Sequence, residues 1–152
     1  MLGYIVLVLI GLMVAFAVYV RLAPSVPAAW HVDPAAATDP GAKGVLLIPD
    51  AAGGGAPVYD LPMEDIMAAF DRFAMAQPRV TRLVGSVAEG RITYIARSRL
   101  WGFPDYITVE ALPLGADRST LAILSRLRFG GSDTGVNARR MAAWLAAFDP
   151  TP

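Results

Sequence analysis

The side chains best suited to do chemistry in this chain are concentrated at residues 125–140, with the sequence SRLRFGGSDTGVNARR. This stretch runs from a predicted strand through a glycine-rich turn into a predicted helix. Free backbone N–H groups at a helix start, glycines and nearby arginines are the ingredients of an anion site. The candidate ligand-binding residues are Arg97, Arg126, Arg128, Ser132, Asp133, Asn137 and Arg140, with Gly130, Gly131 and Gly135 as turn residues.

The same motif also supports a purely structural interpretation. Asn137 is a good N-cap for the last helix, and Asp133 is placed to accept hydrogen bonds from loop N–H groups or to pair with an arginine. The glycines would then supply the positive φ that a tight turn requires. The sequence matches neither a Walker motif nor a dinucleotide-binding fingerprint, so both interpretations stay open.

Residue types that most enzymes need are scarce. The chain has no cysteine and one histidine, His31, which we expect to be a solvent-exposed side chain in a linker. We find no Ser/His/Asp set, no Cys/His pair and no metal-ligand spacing, and we expect no metal and no cofactor. A non-enzymatic role is therefore favoured. The enzymatic alternative uses Arg126 and Arg140 as clamps on an anionic substrate and Asp133 as base.

A second candidate group is aromatic. Trp101, Phe103 and Tyr106 lie on and beside a predicted hairpin turn. Such a group would either contact lipid headgroups or a partner protein, or pack into the core. Nucleic acid is not an expected partner, because the net charge is zero and the chain begins with an apolar helix.

Hydrophobic periodicity predicts the elements that position these groups. Apolar residues at steps of three and four predict a helix over 63–74, capped by Asp60 and ending near 77–78, and a second helix from Asn137 to about 148. Alternation of period two predicts strands, with two shorter extended pieces, at 44–48, 57–59, 80–86, 91–98, 105–112 and 119–129. The fold class is therefore α+β, an antiparallel sheet of four to five strands with two helices on one face, in the order strand, helix, four strands, helix.

The chain opens with nineteen uncharged, mostly apolar residues at 2–20. At a rise of about 1.5 Å per residue, this segment just spans the roughly 30 Å core of a bilayer. A cleaved signal peptide is the alternative, but no basic residue precedes the apolar run and the run is too long. We predict a transmembrane helix at 1–21, a Pro/Ala/Gly-rich linker at 22–56 with a flexible joint at glycines 53–55, and a domain at 57–149.

Charge is divided unevenly along the chain. Residues 22–71 carry seven acids against one base, and residues 72–148 carry eleven arginines against five acids. This asymmetry would either steer an anionic partner or headgroup to one side of the domain or be neutralised when the two halves fold together. Arg21 alone follows the apolar helix closely and weakly favours a cytoplasmic domain.

At the strand–turn–helix segment the sequence resembles the domain of unknown function 1499 family, and the similarity extends over residues 58–148. The residues that carry it are Ser125, Arg126, Arg128, Gly130, Ser132, Asp133, Gly135, Asn137 and Arg140. Residues 21–34 are similar to the membrane-proximal part of alphaproteobacterial members. The resemblance implies an exported or membrane-tethered bacterial domain, and a thylakoid-side relative in plants, with no established activity.

Together these observations predict a single-pass protein of the bacterial inner membrane with a periplasmic domain. We expect a non-enzymatic accessory or interaction subunit whose partners are the bilayer and a larger membrane protein complex. It would use the arginine-rich turn and the sheet face left uncovered by helices. The alternative is a protein that binds, or acts on, a small anion or lipid headgroup at the arginine-rich turn.

Overall fold

The computed structural model describes residues 1–49 and 55–150, so residues 53 and 54 of the predicted joint lie outside it. The helices are α1 (Leu2–Leu22), α2 (Pro27–Trp30), α3 (Met63–Met75) and α4 (Val136–Ala147), and Gly41–Lys43 forms a turn of 3₁₀ helix. The strands are β1 (Gly44–Leu47), β2 (Val58–Tyr59), β3 (Val80–Ser86), β4 (Arg91–Arg97), β5 (Pro104–Pro113) and β6 (Ser119–Leu127).

The strands form one antiparallel sheet in the order β1-β6-β5-β4-β3, and β2 also pairs with β6. The predicted α+β class is confirmed, with six strands in place of four to five. Each long strand begins or ends within two residues of its predicted position, because the turns between strands carry glycine or proline. The two long pairings, β4 with β5 and β5 with β6, carry the residues of the candidate site.

One face of the sheet is covered by α3 and α4. Phe70 of α3 is fully buried and contacts the rings of Tyr94, Trp144 and Phe148, with ring centroids 5.2–6.4 Å apart. Ile92, Ile107, Val109, Leu121 and Ile123 complete this apolar layer from the sheet side. Both helices therefore pack as their apolar stripes predict.

The opposite face is covered by residues 23–33, which we call the strap. The ring of Trp30 stacks on Tyr106 with centroids 3.7 Å apart, and Ser25 shares a 2.6 Å hydrogen bond with the Tyr106 hydroxyl. The expectation that this sheet face is open to a partner is therefore wrong. The Pro/Ala-rich segment lacks periodicity, yet it packs tightly across three strands.

A chain of hydroxyl groups attaches the strap to the centre of this face. Thr108 Oγ1 donates to the carbonyl oxygen of Trp30 at 2.9 Å, so Thr93 Oγ1 donates to Thr108 and in turn accepts from Nδ1 of His31. Both threonines are buried. The expectation of a solvent-exposed His31 is wrong, because its ring is part of this hydrogen-bonded chain.

Two helix starts differ from the predicted ones. Helix α3 begins at Met63 after Pro62, and Asp60 lies before it, paired with Arg118 in an exposed ion pair. Helix α3 also ends at Met75, about one half-turn before the predicted end. Helix α4 begins at Val136, so Asn137 lies inside the helix and is not its N-cap.

Candidate functional site

The arginines of the predicted anion site are divided between the two faces of the sheet. Arg126 lies on the strap face, with its guanidinium 5.0 Å from the ring centroid of Trp30 and hydrogen bonds to the carbonyl oxygens of residues 29 and 30. Arg128 donates to the carbonyl oxygens of Ala23 and Pro24 and to the Tyr106 hydroxyl. These two arginines hold the strap, and we assign them no role in a shared pocket with Arg140.

A buried polar network occupies the other face, below the start of α4. Oδ1 of Asn137 accepts from Ser125 Oγ at 2.5 Å and from Arg140 at 2.8 Å. Arg140 also forms a 2.7 Å ion pair with Asp105 of β5. The side chain of Asn137 is fully buried, and its Nδ2 has no hydrogen-bond partner among the described residues. The network ties α4 to β5 and β6.

Asp133 caps helix α4. Its Oδ1 accepts from the N–H of Gly135 at 2.8 Å, and its Oδ2 accepts from the N–H of Asn137 at 2.9 Å. Burial acts to raise the pKa of Asp133, but these backbone hydrogen bonds outweigh it and the pKa is lowered. Because both oxygens are engaged and the carboxylate is a weakened base, the geometry does not support Asp133 as a catalytic base.

The turn before α4 is the tight one that its glycines predict. Gly130 and Gly135 have φ values of +108° and +78°, and Gly131 has no positive φ. Ser132 is exposed, and its Oγ accepts from the N–H of Thr134 at 3.1 Å. Ser132 and Asp133 therefore bond to backbone groups of the turn and of the helix start.

A cleft of about 380 Å³ opens beside this network, where β3 begins and β4 ends. Arg79, Arg97, Arg99 and Arg140 line it, together with the Asp105 carboxylate. Of the predicted ligand-binding residues, Arg97 and Arg140 both border the cleft. Arg97 follows Ala96 of the helix-face core, so its side chain leaves the sheet on the strap side, and its Nη1 donates to the carbonyl oxygen of Gly102. Arg79, Arg99 and Asp105 also line the cleft, and none of the three is among the predicted site residues. The only hint in the sequence is the density of arginines around the predicted turn at 98–104.

The cleft carries an excess of positive charge. Asp105 pairs with Arg140, while Arg79, Arg97 and Arg99 form no ion pair among the described residues. Burial raises the pKa of Asp105, and the hydrogen bond and charge of Arg140 oppose that rise. Arg79 and Arg97 each donate one hydrogen bond to a backbone carbonyl, so most of their N–H groups stay available. The cleft is suited to an anion.

The loop between β4 and β5, residues 98–103, lies against the end of helix α1. The ring of Phe103 contacts Phe16 at a centroid distance of 6.0 Å, and Arg21 donates to the carbonyl oxygen of Leu100 at 3.0 Å. Gly102 has a φ of +75°, and a Cβ there would lie 3.1 Å from the Arg21 side chain. The left-handed backbone at Gly102 favours glycine, and a Cβ there would also displace the Arg21 side chain by a few tenths of an ångström.

The three candidate aromatic residues differ in their environments. Tyr106 is 1 % exposed beneath Trp30, so core packing is its role and lipid contact is excluded. Trp101 is partly exposed and Leu100 beside it is 75 % exposed. Phe103 lies between Phe16 and Phe129. The loop thus presents apolar side chains next to an apolar helix.

Fold and cleft define a small α+β domain joined to an N-terminal apolar helix that is long enough to cross a membrane. The chain belongs to the DUF1499 family, described as a protein of unknown function, whose sequence profile matches residues 56–148. A search of curated proteins finds no match.

Proposed function

We propose that this protein is a non-enzymatic module that works on the surface of the bacterial inner membrane, anchored by α1 and contacting the bilayer a second time through the 98–103 loop. The observation that carries the proposal is the position of Leu100 and Trp101. Together with Met13, Val14 and Ala17 they line a groove on the side of α1. At about 1.5 Å per residue, these α1 residues lie roughly 8–14 Å below the helix end.

The contacts at the end of α1 support an uncleaved anchor over a signal peptide. Val20 is fully buried, and Tyr19 contacts the ring of Phe129 with centroids 6.0 Å apart. The hydrogen bond from Arg21 satisfies the carbonyl of Leu100, which lipid would leave without a partner. Cleavage after the apolar segment would remove packing partners of the domain.

The insertion of the loop is tested with the full chain in phosphatidylcholine vesicles that contain lipids brominated near the headgroup. Bromine quenches tryptophan fluorescence at short range, and Trp101 is the tryptophan that the proposal places in the bilayer. We expect strong quenching of the wild type and a marked loss of the quenched component in Trp101→Phe. Trp144→Phe, which removes a buried tryptophan of the core, is the matched control.

Equal quenching in wild type and Trp101→Phe would contradict the proposal. Retention of the anchor is tested separately by intact mass measurement of the membrane-extracted protein. A mature form that lacks residues 1–20, or release of the protein by alkaline carbonate, would contradict the anchored state.

The proposed orientation is periplasmic, and the proposed role is that of an accessory or interaction subunit of a larger complex. The orientation rests on the family resemblance, against the weak opposite indication of Arg21. Alkaline phosphatase fused to the C-terminus folds in the periplasm and should be active, and a cytoplasmic domain would give an inactive fusion. Gentle detergent extraction should recover a larger complex, and migration as a lone monomer would contradict the accessory role.

A further inference from the structure

We propose that the arginine cleft and the groove beside α1 together form a binding site for one anionic phospholipid, with its phosphate in the cleft and an acyl chain in the groove. The inference rests on the proposed position of the 98–103 loop at the bilayer. The proposed site differs from the predicted anion site. Arg79 and Arg99 would bind the phosphate, whereas Arg126 and Arg128 hold the strap.

The cleft and the groove share the 98–103 loop. One loop lines both, since Ser98 and Arg99 border the cleft and the next two residues, Leu100 and Trp101, border the groove. The cleft is about 380 Å³ and the groove about 330 Å³ in volume. The exposed Arg99 thus precedes the exposed, apolar Leu100 in the loop, and this order of polar and apolar groups matches that of a phospholipid.

The cleft carries more positive than negative charge. Arg79 and Arg99 are in excess of the single carboxylate of the cleft, and that carboxylate already pairs with Arg140. Arginine binds phosphate oxygens through paired N–H donors, which lysine cannot do. The exposed guanidinium of Arg99 makes no hydrogen bond among the described residues, so its donors are free for a phosphate.

The position of the groove along α1 also suits an acyl chain. The groove is lined by helix residues 13–17, whereas Arg21 follows at the polar end of the helix. The cleft residues flank the loop on its domain side. An acyl chain beside residues 13–17 would run parallel to the helix within the hydrocarbon layer, and its headgroup would lie at the level of the arginines.

The test uses the full chain, delipidated in a mild maltoside detergent, with dioctanoyl phosphatidylglycerol as the probe. Native mass spectrometry counts the bound lipid over a titration. We expect phosphatidylglycerol to bind in preference to dioctanoyl phosphatidylcholine, and Arg99→Ala to weaken that binding about five- to tenfold, the value of one charge-assisted contact. Arg118→Ala removes an exposed arginine at the opposite end of the sheet and should change binding less than about twofold.

A second pair of variants tests the groove. Ala17→Leu fills the groove and should weaken lipid binding, whereas Ala15→Leu points to nearly the opposite side of α1, since two residues turn an α-helix by about 200°. Inorganic phosphate is titrated in parallel. If phosphate displaces the lipid at equal concentration, or if Ala17→Leu binds as the wild type does, the cleft takes a free anion and the lipid site is overturned.

Equal binding of the two lipids, or equal effects of Arg99→Ala and Arg118→Ala, would overturn the role of the cleft. These failures are distinguishable from a failure of the proposed function. Quenching of Trp101 by brominated lipid without phosphatidylglycerol preference would leave the membrane-surface module intact and remove only the lipid site.

Discussion

The two faces of the sheet are covered by elements of opposite character. On one face, α3 and α4 bury a layer of aromatic and aliphatic side chains such as Phe70, Trp144 and Phe148, and polar groups are buried beside it at the start of α4. On the other face, the strap is attached by hydroxyl groups, an imidazole and two arginines. Removal of apolar area from water stabilises both faces, since Ala122 and Leu124 are buried on the strap side too, and on the strap face directional polar contacts hold most of the covering segment.

The contacts that hold the strap use two of the arginines. A face closed by directional contacts on an irregular segment needs many individual donors and acceptors, which explains why Arg126 and Arg128 are used internally. The arginines that stay available lie at the edge, where β4 ends and the 98–103 loop begins. The strap therefore decides which of the arginines are free to bind a ligand.

The largest expected effect tests the helix face. Phe70→Ala removes a fully buried ring with four aromatic neighbours and should lower the free energy of unfolding by about 3–5 kcal/mol. Urea unfolding of the full chain in detergent, followed by near-ultraviolet circular dichroism, measures it. A loss below about 1 kcal/mol would mean that this layer is not close-packed.

The next effect tests the network at the start of α4. Asn137→Ala leaves the hydroxyl of Ser125 and one donor of Arg140 without their buried acceptor, and it should cost about 2–3 kcal/mol. The same unfolding experiment measures the loss. Arg139→Ala, an exposed neighbour on the same helix, serves as the control and should fall within about 0.5 kcal/mol of the wild type.

The strap face is tested by Trp30→Ala. The variant loses the stack on Tyr106 and the contact with Arg126, and it should be less stable by about 2 kcal/mol. Hydrogen exchange should show faster exchange in the strap, while the amides of α3 keep their wild-type protection. Uniform acceleration across both faces would show that the strap does not open independently.

The smallest effect concerns the cap of α4 and depends on pH. Asp133→Asn should cost about 1 kcal/mol at neutral pH, because an amide caps less well than the carboxylate that accepts from two N–H groups. The pKa of Asp133 is lowered from its ordinary 3.8 in the folded protein, so its stabilisation is present above that value and lost as the pH falls through the folded pKa.

Thermal unfolding of wild type and Asp133→Asn between pH 7 and pH 3 measures this dependence. The stability difference between the two should shrink as the pH falls below about 4. Asp105, whose pKa is raised chiefly by burial, contributes with the opposite sign, and since the charge of Asp133 adds to that rise, the variant removes a small part of this contribution. A difference that grows toward low pH would contradict the cap.

Local sequence patterns were sufficient for the elements of the fold. The apolar residues of α3 recur at helical spacing, and Ile107 and Val109 alternate with polar neighbours. The pattern within each element therefore predicts which of its sides is buried. The glycines around residue 130 likewise indicate a tight turn. These features depend only on neighbours within one segment.

The site was predicted less well for a physical reason. The sequence groups Arg126 with Arg140, but successive side chains of a strand point to opposite faces. Ser125 points to the helix face, so Arg126 points to the strap face. The sequence predicts Asn137 as the N-cap. In the structure the turn brings Asp133 to the helix start, and its carboxylate accepts a hydrogen bond from the N–H of Asn137. Neither outcome is visible without the turn conformation.

The order of strands and helices, the apolar face of each, and the presence of an N-terminal segment long enough to cross a bilayer followed from the sequence alone, since periodicity and length are local properties. Only the tertiary structure decided that residues 23–33 cover the second face and that Arg140 pairs with Asp105 in a cleft that Arg79 and Arg99 also border. Those contacts depend on strand register and on the packing of an aperiodic segment, which join residues far apart in the chain and leave no repeating pattern within it.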